Sequence, residues 1–150
     1  MLIPPSTNDD YRGARVAAWF LVFLGVGWVV PGMIHMFLPD GGAGVIAGID
    51  FGAQARTIVA IFAWAGATQF AHGLMMIAVG LRYRSLVPLL LAISLVERCL
   101  LSIFGWVWKA PPPGAHHPPE HYGSLALVPI IVLCLWLSLR QPRRRGALPG

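Results

Sequence analysis

Charge is what this chain has least of. Only 11% of its 150 residues are Asp, Glu, Lys or Arg, against roughly 25% in a soluble domain. So few charges cannot coat a globule in water. A hydrophobic fraction of 57% and a mean hydropathy of +0.69 point the same way, and the class that remains is an integral membrane protein. Cysteine is almost missing. Cys99 and Cys134 both fall inside apolar runs, which excludes a disulfide framework and makes them small buried hydrophobes. Acidic residues number 6 against 11 basic ones, a net charge of +5. In a soluble chain that excess would raise nucleic-acid binding. Here the bases gather at the ends of apolar runs and no base-reading module is present. The expected partners are membrane lipids with anionic headgroups, and no nucleic acid. The opening stretch, MLIPPSTNDDYRGAR, holds two prolines and two aspartates where a signal peptide would be basic. The apolar run after it is too long for an h-region, so the first helix is expected to stay in the mature protein.

What is present is apolar length. A spanning helix needs about 20 residues to cross about 30 Å of hydrocarbon. Four segments meet or approach this: 16–38, 57–80, 86–108 and 122–139. Backbone groups in lipid must bond within their own segment, so the predicted fold class is all-α, a single four-transmembrane-helix bundle without a second domain. Eight arginines, at 12, 15, 82, 84, 140, 143, 144 and 145, fall on one side of such a bundle, and only Arg56 and Lys109 on the other. That bias predicts both termini in the cytoplasm and loops 39–56 and 109–121 outside, in a multi-pass protein of a bacterial inner membrane. Ala63, Ala67 and Ala71 form a small-xxx-small stripe suited to close helix packing, and Gly25 and Gly32 lie seven apart on the first helix. Pro31 and Pro129 should open the outer half of the bundle, leaving room for a pocket.

Glu97 and Arg98 stand in the third span. Counted from the cytoplasmic turn they lie about 16 Å deep, near the midplane. A charge there costs about 2.5–3.5 kcal/mol or more, so neither is expected to face lipid. Gln69 and His72 reach similar depth on the second helix, three residues apart and on one face. These four are expected to meet in one polar layer. It serves either as hydrogen-bonded glue between helices or as a working site, with Glu97 and His72 as acid and base beside Arg98.

The outer side carries a second set. His35 closes the first span, with Asp40 and Asp50 in the loop that follows; together with Gln69 these are the candidate ligand-binding residues. His116, His117, Glu120 and His121 lie in the Pro-rich loop before the fourth span. Imidazoles and carboxylates suit a divalent transition metal, although Pro118 and Pro119 argue against a helix that would align His117 with His121. A hydrogen-bonded polar rim is the competing reading, and no cofactor is assigned. His35 and His72 lie at different depths and do not form a haem pair. The glycine-rich loop PDGGAGVIAGID lacks the lysine of a P-loop. It reads as a cap over the bundle mouth, with Val45, Ile46 and Ile49 as an apolar edge.

GVGWVVPGMIHMFLPD closing the first helix, ARTIVAIFAWAGATQFAHGL opening the second, and an arginine in the third followed by a Gly/Pro loop together resemble the small four-helix, DoxX-like membrane families of bacteria. The resemblance is one of architecture over roughly residues 15–140, and the long His/Pro loop departs from it. It implies a compact bundle supporting a redox or lipid-linked partner. The function expected is a membrane protein whose polar-lined pocket binds a lipid-like or small amphipathic ligand or supports a membrane partner. The alternatives are a membrane-embedded isomerase, cyclase or metal-dependent transferase, and an accessory subunit of a larger complex.

Overall fold

Every apolar run folds as the helix that lipid demands of its backbone. A computed structural model describes residues 2–114 and 117–140 and places α1 at Arg15–Phe37, α2 at Ala55–Arg82, α3 at Val87–Ile103 and α4 at Pro119–Leu139. There are no strands among the described residues. With their flanking turns, all four helices are long and apolar enough to cross a membrane. Two boundaries differ from expectation. α3 leaves α geometry at Ile103, and Phe104–Trp108 continue it as a single π turn. α4 starts at Pro119, three residues early, because a proline in the first turn lacks only an N–H that would be unpaired there anyway. Pro31 and Pro129 lie inside α1 and α4, as read from the sequence.

One end of the bundle is stapled by the N-terminal segment. The Thr7 N–H donates to Arg82 O at 3.0 Å and the Ala14 N–H to Leu137 O at 3.1 Å. The Ser85 hydroxyl donates to Thr7 Oγ1 at 2.8 Å. The segment before α1, the α2–α3 turn and the last turn of α4 therefore share an end.

α1 and α2 pack at three levels through residues with little or no side chain. Ala18 lies against Gly80, Gly25 against Gly73, and Gly32 against Gly66; seven residues forward on α1 match seven back on α2. A methyl placed on Gly73 would sit 2.6 Å from the Gly25 carbonyl oxygen, and one on Gly66 2.7 Å from that of Gly32. Backbone thus rests on backbone, close enough for Cα–H···O contacts. The alanine stripe expected to do this does not: Ala67 and Ala71 are exposed and Ala63 only half-buried. The reason is angular. Four-residue steps advance round a helix by about 40°, whereas seven-residue steps fall back by about 20°. Gly25 and Gly32 are seven apart, and only the seven-spaced Gly66, Gly73 and Gly80 keep register with them.

α3 and α4 form the other close pair, and α1 touches both. Leu21, Met76, Leu91 and Ile131 are fully buried where the pairs meet. α2 and α3 scarcely touch, which leaves a gap between them.

Candidate functional site

Buried polar atoms occur on α1, α2 and α3. The Gly25–Gly73 register brings Trp28 level with Phe70, next to Gln69. His72 lies one turn on, with its ring centroid 6.1 Å from that of Trp28. Glu97 faces the same region from α3, within electrostatic reach of His72 and Arg98. Trp28 Nε1, Gln69 Oε1, His72 Nε2 and Glu97 Oε2 are buried, and none has a hydrogen-bond partner among the described residues. Such an atom normally costs about 1–3 kcal/mol when it is buried without a partner, so the four mark a strained polar layer in an otherwise apolar bundle.

Arg98 does not close the network with Glu97 as expected. Its side chain, 6% exposed, reaches the first turn of α4 and donates through Nη1 to Glu120 Oε1. The same nitrogen lies 3.2 Å from Ser124 Oγ. Its guanidinium carbon sits 4.2 Å over the Trp28 ring, a cation–π contact in a dry setting. Ser94 and Ser102, on the stripe of Arg98, instead bond back to the Leu90 and Arg98 carbonyls at 2.8 Å each. Trp28, Ser124 and the role of Glu120 were not read from the sequence. The available signal was Glu120-x3-Ser124, an i,i+4 pair that becomes one face once Pro119 is accepted as a helix start.

A cavity of about 570 Å³ opens beside this pair, within the range of small-molecule sites. Ile34, Ile46, Phe62, Leu101 and Phe104 supply most of its apolar wall, and His35, Gln69, Lys109, Glu120, His121 and Ser124 its polar groups. Both α2 and α3 line it across the gap where they scarcely touch. Ile61 on one lip and Phe104 on the other are 55% and 41% exposed, so the opening faces sideways between those helices.

His35 Nδ1 lies 2.6 Å from Gly41 O. A carbonyl only accepts, so this nitrogen carries the proton, and Nε2 is the acceptor of the neutral ring. Asp40 and Asp50, expected as ligand contacts, do not line the cavity. Asp40 accepts from the Gly42, Gly44 and Val45 N–H groups at 2.8–3.1 Å, and Asp50 from Gly52 N–H at 3.1 Å. Short aspartate side chains bond their own following backbone, and these two are taken up that way. The Val45 and Gly42 amides hold the Asp40 carboxyl below the usual carboxylate range. With Gly41 and Gly42 at φ +62° and +73°, the loop folds back over the cavity. Ile46 lines it, whereas Val45 is 83% exposed.

The histidines expected on the outer side come together in part. His117 Nδ1 and His121 Nδ1 are 3.0 Å apart, so one ring donates to the other. His117 stacks on Trp106 with centroids 4.2 Å apart, and the Trp106 indole donates to His121 O at 3.1 Å. The prolines do not separate the two histidines, because α4 begins between them. The π turn assists: at Gly105 an added methyl would lie 3.0 Å from the His121 ring. Glu120 turns away to Arg98, and His116 lies outside the described residues. No group of three or more metal-ligating side chains exists among the described residues.

No protein-family model, curated protein or solved structure matches this chain.

Proposed function

We propose that this chain is a multi-pass protein of a bacterial cytoplasmic membrane whose lateral cavity binds one lipid-like, amphipathic molecule. The observation that carries the reading is the cavity of about 570 Å³ between α2 and α3, walled mainly by apolar side chains with a few polar groups among them. A guest entering sideways would keep its chain against Ile34, Phe62 and Phe104 and present its head to Gln69, His121 and Ser124. Arg98 and Glu120 neutralise each other at that end, so the head need not carry a charge to be accepted. Both termini face the cytoplasm in this reading, supported by the eight arginines at that end of the sequence pattern. The DoxX-like layout fits the same role, a compact bundle serving a lipid-linked partner.

Native mass spectrometry of protein taken from its membrane in mild detergent tests the site. One retained amphiphile per chain is expected, and Ala65→Trp, which fills the cavity from its α2 lip, should abolish retention. Equal retention by Ala65→Trp would place the lipid elsewhere, and no retention by either protein would sink the reading. Cysteine labelling from outside should reach position 112 and not position 10; the reverse would invert the topology.

A further inference from the structure

Most polar side chains on the wall of the lateral cavity are already engaged. Glu120 and Ser124 meet Arg98, His35 Nδ1–H meets Gly41 O, and His121 Nδ1 meets His117. Lys109 lines the same cavity and is different. The only ion pair among the described residues is Arg98–Glu120, so the Lys109 ammonium has no acidic partner. It offers three N–H donors and no acceptor. Because Arg98 compensates Glu120, Lys109 is the one lining charge left unbalanced. An arriving anion therefore meets a net positive wall.

The π turn puts Lys109 there. Its N–H donates to Phe104 O at 2.8 Å, and Phe104 and Gly105 of that turn line the cavity too. Gly105 lies against the His121 ring, where an added methyl would come within 3.0 Å. One wall thus carries a cation and an imidazole beside the apolar Phe104. A lysine at a membrane boundary extends its ammonium toward headgroups in any case. This one stands over a hollow that can take the tail as well. At about 30 Å³ for each water-sized group, 570 Å³ holds roughly 19 of them, one acyl chain with its head rather than two chains. We infer that the guest is a single-chain amphiphile with an anionic head, a carboxylate or a phosphate monoester, paired with Lys109 beside His121. The inference rests on the proposed binding function and narrows it to a class of head group.

Four probes with one tail separate the two ideas: laurate, dodecyl phosphate, dodecanol and dodecyltrimethylammonium, each titrated at pH 8 against the full chain in nanodiscs. Binding is read by native mass spectrometry and by the shift in thermal midpoint. At least one anion is expected to bind about fivefold tighter than dodecanol or the cation, the scale of an ion pair open to water. A lead by laurate points to a fatty acid, and a lead by dodecyl phosphate to a phosphate-headed lipid. Lys109 is exposed, so Lys109→Glu should fold, and it should reverse the order so that the cation leads. Ala65→Trp should abolish binding of all four. If dodecanol or the cation binds unmodified protein as tightly as the anions, or if the anions keep their lead in Lys109→Glu, the head-group assignment falls while the cavity stands. If no probe binds, or if Ala65→Trp binds them equally well, both fall. The probe series on unmodified protein decides the matter even if a variant fails to fold.

Discussion

Between α1 and α2, backbone rests on backbone at three levels, and between α3 and α4 an arginine, a glutamate and a serine hold the contact beside a cavity. The first contact uses no polar side chain and leaves no space. The second uses charge, and space comes with it. A glycine contact gains from closeness alone, so any volume added there is resisted by main chain. An ion pair needs donors and acceptors at fixed reach, so it fixes side chains rather than backbones. The cavity lies outside both close pairs, in the gap where α2 and α3 scarcely touch, with Glu120 and Ser124 of the second pair on its wall.

Substitutions that exchange these two characters should break the comparison. The largest effect is expected for Gly73→Ala, whose methyl would meet the Gly25 carbonyl oxygen at 2.6 Å and the Val29 amide nitrogen at 2.8 Å. Neither can step aside, so a loss of about 3 kcal/mol or more in folding free energy is expected. Denaturation in mixed micelles checks it, and a value near that of Gly27→Ala would show that the glycine contact is not tight. Next comes Glu120→Gln, which strands the buried Arg98 guanidinium. Because Glu120 is 49% exposed, about 2–3 kcal/mol is expected, below the range for a fully buried pair. The double variant Arg98→Met with Glu120→Met should recover most of that loss, and failure to recover would mean that the pair does more than satisfy itself.

A smaller, local effect concerns the loop over the cavity. The Asp40 carboxyl is held low by the Val45 and Gly42 amides. Its contribution is complete above the ordinary carboxylate pKa of about 3.9 and fades as pH falls through the lowered value. Amide exchange at Gly42 and Val45, corrected for its intrinsic pH dependence, should stay slow at neutral pH and quicken in acid below about pH 4. Asp40→Asn should quicken it at every pH. The smallest effect sharpens the glycine argument from the other side. Gly27 and Gly123 have no atom within 4 Å of an added methyl, so alanine at either should be neutral or stabilising by about 0.5–1 kcal/mol.

Hydropathy alone made the four helices legible, since each apolar run has only one way to satisfy its backbone in lipid. The choice of packing face was half legible. Gly25 and Gly32 announced a seven-residue spacing, but the matching stripe on α2 was sought among the alanines, because small-xxx-small is the commoner sign and says nothing about its partner. At the polar layer, Gln69, His72 and Glu97 each keep a buried polar atom, and Glu97 comes within electrostatic reach of His72. Arg98 was assigned the wrong neighbour because Glu120 was read as loop; two prolines look like a break until their place in a first turn is considered. The Trp28 indole was invisible, since an aromatic in an apolar run gives no hint that its N–H will go unpaired.

The seven-residue contact between α1 and α2 joins two helices that both precede α3 and α4 in the chain. A nascent chain can thus finish a hairpin before the later spans exist. Arg98 and Glu120, 22 residues apart on those later spans, then find each other against a Trp28 face already in place. For the most expensive charge in the molecule, synthesis order spares it a search through open lipid.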